Sequence, residues 1–199
     1  MHSLKDKFEN LCLRIKEGRR LESTGSAPIY YLVFPVEEIL EVKRQTKAWA
    51  AKLENLGWNV TTLSFVEITN SITRGHQLRA MALLGEKMQL DKVKSAIPKK
   101  VVGDVTKTLQ DQISQGGKLL EIVKGKLAEA TSRQNGLLLL TDLEAIHPFL
   151  RINSIEAQIQ DMVHCPVVVL YPGKREGKTS LRFLNFYPAD PNYRSEHIG

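Results

Sequence analysis

Cysteine is scarce in this 199-residue chain: Cys12 and Cys165 are the only two, so no disulfide framework exists and a reducing compartment is expected. Long apolar runs are missing as well. The longest, 136–140 and 166–171, fall far short of the ~20 residues that cross a bilayer. The opening residues, Met1 to Phe8, alternate charge with isolated apolar side chains and lack the apolar stretch of a secretory signal. Internal repeats and low-complexity tracts are absent too. What remains is 42% hydrophobic and 25% charged, the composition of a globular domain that buries its core without staples. Membrane proteins, disulfide-knotted secreted domains and disordered tails are excluded. A single cytoplasmic α/β domain over 1–199, with no membrane partner, is expected.

Several chemical signatures are also missing. A phosphate-binding loop needs G-x-x-x-x-G-K-[ST], so that successive backbone N–H groups wrap the anion. Counting back from Gly177-Lys178-Thr179, the required first glycine falls on Pro172, and Gly173 is one residue too close. The segment then runs into Ser180-Leu181-Arg182-Phe183, which reads as a strand and not as the helix whose N-terminus would face a phosphate. A hairpin carrying Lys and Arg is the better reading. After the first strand the chain reads Phe34-Pro35-Val36-Glu37-Glu38, with no glycine and two carboxylates where a doubly wound fold would hold a nucleotide. No G-x-S-x-G elbow anchors a hydrolase triad. His164 and Cys165 are adjacent, but no paired ligand spacing accompanies them, so no metal is expected. Neither is any cofactor.

The hydrophobic pattern alternates strands with helices. Phe8, Leu11, Cys12 and Ile15 recur at helical spacing over 4–18, which ends on glycine and a basic pair, Arg19-Arg20. Residues 29–34 form an apolar run of β-branched and aromatic residues, the mark of a strand covered on both faces. A helix over 36–56 and a strand over 58–65 follow, and a βαβ unit is the simplest way to join them. Two more buried strands are expected at 136–140 and 167–171, with a helix over 154–163 between them, and a fifth strand at 181–186. The expected architecture is an open, mostly parallel sheet of about five strands with helices on both faces. It resembles a P-loop or Rossmann sheet that has no phosphate loop, with a helical insertion over 68–133 between strands 2 and 3.

That insertion concentrates the charge. The whole chain has 28 Lys+Arg against 22 Asp+Glu, a net +6. Between Arg74 and Arg133 lie twelve basic and six acidic residues, so the segment holds the entire excess. It reads either as a solvated helical face or as a polyanion contact through Lys92, Lys94, Lys99 and Lys100. The solvated face is favoured, because no aromatic residue lies among the charges to stack on a base.

Two further stretches carry candidate residues. Leu137 to Leu140 leads into Thr141-Asp142-Leu143-Glu144, where Asp142 or Thr141 is expected to cap the following turn. Asp142, Glu144, His147 and Arg151 then fall beyond the carboxyl end of a central strand, where open α/β sheets place their sites. They read either as an acid–base or phosphate site or as a salt-bridged loop, and the lack of a nucleophile favours the loop. The tail 187–199 holds Tyr187, Asn192, Tyr193 and Arg194. Tyrosine and arginine recur at interface hot spots, so the tail suits partner docking, or equally a strap that covers a sheet edge.

Three blocks occur in order: Leu4-Lys5-Asp6-Lys7-Phe8-Glu9-Asn10-Leu11, then Leu138 through Arg151, then Pro166 through Gly173 followed by Leu181-Arg182-Phe183-Leu184 and the tail. Together they resemble the BrxB family of the BREX bacteriophage-exclusion systems. The resemblance implies a cytoplasmic defence component encoded beside a DNA methyltransferase, an ATPase and PglZ, a member of the alkaline phosphatase superfamily. It implies no established activity for this component. Its expected role is non-enzymatic assembly by binding PglZ, with Asp142, Glu144, His147, Arg151, Tyr187, Asn192, Tyr193 and Arg194 as candidate contacts. Two alternatives remain: a DNA-associated subunit using the basic insertion, and a weak nucleotide or phosphoester enzyme built on Asp142, His147 and Arg151.

Overall fold

The hexapeptide Ile29–Phe34 is buried at every position and forms strand β1. Its side chains alternate, with Ile29, Tyr31 and Val33 entering one core and Tyr30, Leu32 and Phe34 the other. Such a strand needs cover on both faces. The computed structural model describes residues 3–18, 27–73, 117–147, 150–177, 180–185, 187–189 and 195–199. Within them the helices are α1 (Leu4–Gly18), α2 (Ile39–Asn55), α3 (Phe65–Thr73), α4 (Lys118–Ser132) and α5 (Ile152–Ile159). The other strands are β2 (Asn59–Ser64), β3 (Gly136–Thr141), β4 (Val167–Glu176), β5 (Ser180–Phe183) and β6 (Glu196–Ile198).

The sheet runs β2-β3-β4-β1-β6, with β5 paired to β4 off that row. All pairs along the row are parallel, and only β4–β5 is antiparallel. One face packs against α1 and α2 through Phe8, Leu11, Val42, Trp49 and Leu53. The other packs against α3, α4 and α5 through Ile68, Leu119, Val123, Leu127 and Ile155. An open, mostly parallel sheet with helices on both faces is therefore what the chain builds.

The N-terminal helix shows how local chemistry fixes an element. Ser3 accepts at Oγ from the Asp6 amide (3.2 Å), and Asp6 Oδ2 accepts in return from the Ser3 amide (3.0 Å). This reciprocal pair satisfies two donors that a helix start would otherwise leave open. Further along, Phe8 stacks on Trp49 of α2 with centroids 4.6 Å apart and planes 7° from parallel. Such a contact contributes ~0.5–1.5 kcal/mol beyond its buried area.

Four features of the structure go beyond or depart from the sequence expectation. First, β1 and β2 are parallel but not neighbours, because β4 and β3 lie between them. The central places require two apolar faces, which β1, β3 and β4 have, whereas β2 exposes Asn59 and Thr62 and suits an edge. Second, the sheet has six strands and not five, since Glu196–Ile198 pairs with β1. Third, 36–56 is not one helix, because Pro35 leads into a 3₁₀ turn, Val36–Glu38, before α2. Fourth, the helix expected over 154–163 begins at Ile152 and ends in a 3₁₀ turn, Gln160–Met162.

At the other end of the fold, β4 continues past Tyr171 to Glu176 as the first arm of a hairpin with β5. The turn-forming run from Gly173 to Gly177 is thus a strand and tip leading into a second strand. Gly173 has φ +156, and a Cβ there would lie 2.1 Å from the Arg182 carbonyl oxygen, so only glycine lets the two arms close. Of the expected insertion, α3 and α4 lie between β2 and β3, and 74–116 lie outside the described residues.

Candidate functional site

The carboxyl ends of β2 and β3 sit side by side, because the register pairs Ser64 with Thr141. The next residue, Asp142, adopts the left-handed conformation with φ 59 and ψ 43. Asp is one of the few side chains that tolerate this region. The conformation turns its carboxylate back onto the strand ends. There Ser64 Oγ donates to Oδ2 at 2.6 Å and Thr141 Oγ1 donates to the same oxygen at 2.8 Å. Asp142 occupies the N-cap position of the 3₁₀ turn Leu143–Ala145, but its side chain makes no capping bond. The expected cap is replaced by this bond pair.

Lys43, from α2, closes the site. Its ammonium lies 3.2 Å from Asp142 Oδ1 and 2.5 Å from Glu144 Oε1. Burial alone raises the Asp142 carboxyl, but the hydroxyls of Ser64 and Thr141 and the charge of Lys43 outweigh it and hold it below the ordinary value. Burial pulls Lys43 down, and the two carboxylates more than reverse that. Acid and base therefore stabilise each other's charged forms. Phe34, Ile39, Val42, Thr46 and Leu170 complete the walls of a cleft of about 250 Å³, its open mouth included.

His147 lies elsewhere. Its ring stacks on Phe183 of β5 at 3.8 Å between centroids, with Tyr187 5.2 Å away. Burial first, and the charge of Arg151 second, lower it to about 4, so the imidazole is neutral at pH 7. Phe183 belongs to the core on the α3–α5 face, whereas Lys43 follows Val42 on the helix that packs against the opposite face. Three residues close in sequence thus divide: Asp142 and Glu144 join Lys43 on one side, and His147 joins the aromatic cluster on the other. Arg151 is exposed at the N-cap of α5. Tyr187 is half-buried beside His147, and its amide donates to the Phe183 carbonyl at 3.3 Å. Asn192, Tyr193 and Arg194 lie outside the described residues, as do Lys92, Lys94, Lys99 and Lys100.

Sequence reasoning missed Lys43 and Ser64. The available signal for Lys43 was its place one turn after Ile39, beside the apolar stripe of α2 and not opposite it. Among the described residues, no group of three or more His, Cys, Asp or Glu is placed to hold a metal ion. Both thiols are raised by burial, which disfavours the nucleophilic thiolate. No described helix is long and apolar enough to cross a membrane.

A family model described as BREX protein BrxB matches residues 77–198, well over half of the chain. No curated protein and no solved structure matches it.

Proposed function

This chain belongs to the BrxB family of BREX proteins, components of anti-phage systems, and from that premise we propose that it is a non-enzymatic assembly subunit that binds PglZ. One observation carries the non-enzymatic part of this reading. The strand ends where an open α/β sheet would hold a ligand are filled by the chain's own groups, Lys43 against Asp142 and Glu144, with Ser64 and Thr141 donating to Asp142. A carboxylate with this many partners is a poor general base, and His147, stacked on Phe183 with Tyr187 tilted beside it, belongs to the opposite face. The exposed Arg151 and half-buried Tyr187 beside that stack are of the kinds that anchor protein interfaces.

The test is co-elution on size exclusion with the PglZ of the same system at low and moderate salt. A single complex in both buffers is the expected result. Two separate peaks in both overturn the PglZ assignment. A second reading, DNA association, is favoured by one observation, the net +6 gathered between Arg74 and Arg133.

A further inference from the structure

Strand β6 is seated on the outer edge of β1 by few contacts, and each of them reaches a different part of the body. Tyr30, Tyr31 and Leu32 pair in parallel with Glu196, His197 and Ile198. On the other side of β1, β4 pairs all six residues. Side chains decide the seating. Glu196 Oε1 lies 3.2 Å from Arg14 Nε of α1, Ile198 enters the core beneath α1 and α2, and the His197 ring meets Tyr31 edge-on at 5.7 Å. The Tyr31 hydroxyl, at the centre of the opposite core, donates to Glu156 Oε2 of α5 at 2.5 Å. The Ser195 hydroxyl also favours the charged form of Glu156, although burial, the largest influence, raises its carboxyl. Just past Leu32, the last residue that β6 pairs, Lys7 Nζ donates to the Val33 carbonyl at 3.1 Å. The backbone of β1 is thus closed on this side by a three-residue strand and a lysine.

An edge strand so covered is a template for strand addition, in which main-chain bonds give affinity and alternate side-chain pockets give selectivity. We infer that residues 195–199 are a detachable cover, and that the edge of β1 beneath them accepts an extended segment of a partner protein running parallel to β1. The cover itself defines the chemistry of that segment. An acidic residue meets Arg14, a ring meets Tyr31 on the next position, and an aliphatic residue follows into the pocket of Ile198. Few pairs and a partly polar anchorage favour local opening of this edge.

This inference rests on reading the chain as a binding module. Its test contains no PglZ, so its failure is distinguishable from a failed co-elution. The probe is a labelled synthetic peptide of residues 187–199, titrated against the full chain and against full-length Ile198→Asp, which undocks the cover by placing a charge in the core. The variant is expected to bind the peptide at least about tenfold more tightly than the wild type, whose edge is occupied, and a peptide carrying the same substitution is expected not to bind. Equal or absent binding by both chains, with circular dichroism showing the variant folded, overturns the proposal. If the variant does not fold, hydrogen exchange of the wild type decides. Amides of 196–198 are expected to exchange at least about tenfold faster than those of 168–171. Equal rates with the same denaturant dependence, the sign of global unfolding only, overturn it.

Discussion

The Lys43 ammonium lies 3.2 Å from Asp142 Oδ1 and 2.5 Å from Glu144 Oε1, so one residue of α2 pairs with both acids of the turn after β3. Lys43→Met removes the charge and keeps the stem against the cleft wall. Two carboxylates are then left together at the strand ends. The expected cost is about 1 kcal/mol, a fall of ~2–4 °C in Tm for a chain of this size. Thermal unfolding measures it, and an unchanged Tm would show that the pair contributes nothing.

Asp142 combines a left-handed backbone with two accepted hydroxyl bonds. Asp142→Asn keeps both the tolerance for that conformation and an acceptor oxygen, and loses only the charge. Asp142→Ala loses the bonds and leaves a Cβ at positive φ without the short polar side chain that makes that conformation tolerable. The expected costs are about 1 kcal/mol for Asn and ~2–3 kcal/mol for Ala by denaturant unfolding. Equal costs for the two would remove the backbone from the explanation.

Much of the fold was legible because burial on both faces writes itself as an unbroken apolar run. Ile29–Phe34 and the start of β4 were visible for that reason. Strand order was not legible, since nothing local in Asn59–Ser64 says that its neighbour is Gly136–Thr141. The end of β4 was hidden because Lys174, Arg175 and Glu176 pair only with the other hairpin arm and bury no apolar stripe. Three residues, Glu196–Ile198, are too few to show a period at all. At the site, closeness in sequence misled. Leu143 and Ile146 are drawn into the core, and the turn between them sends Asp142 and Glu144 one way and His147 the other. Lys43 looked like any helix-surface charge until the fold brought the turn to it.

His147 and His197 are both lowered to about 4, chiefly by burial and further by Arg151 and Arg175 respectively. A histidine depressed in the folded state binds its proton more readily when unfolded. Stability is therefore complete above about pH 6.5 and falls as pH drops from there toward 4. Glu156, raised by burial, works in the opposite sense at the acid end, gaining stability as it protonates. Discounted for partial exposure, the two histidines together are expected to remove about 2 kcal/mol between pH 7 and 5, or ~4–8 °C in Tm. His147→Phe should flatten that slope, and a variant whose slope equals the wild type's would exonerate this residue.

Reversing Lys92, Lys94, Lys99 and Lys100 to glutamate separates the two functional readings. Under the assembly reading, the variant co-elutes with PglZ as the wild type does, and both chains behave alike on duplex DNA in a mobility-shift titration. Retention by the wild type that falls steeply with salt and vanishes in the variant would favour the DNA reading, because every phosphate that a lysine neutralises sets a counterion free.

The strand order also fixes a schedule for synthesis. β1 is made early, yet both of its neighbours, β4 and β6, come from the last part of the chain. While the ribosome is still short of Val167, the apolar hexapeptide Ile29–Phe34 has neither of the strands that pair with it. Long-range parallel pairing of this kind is slow and leaves strand edges open to aggregation in the interval. The nascent chain therefore relies on its helices, or on a chaperone, to shelter that strand until β4 arrives to occupy the middle of the sheet.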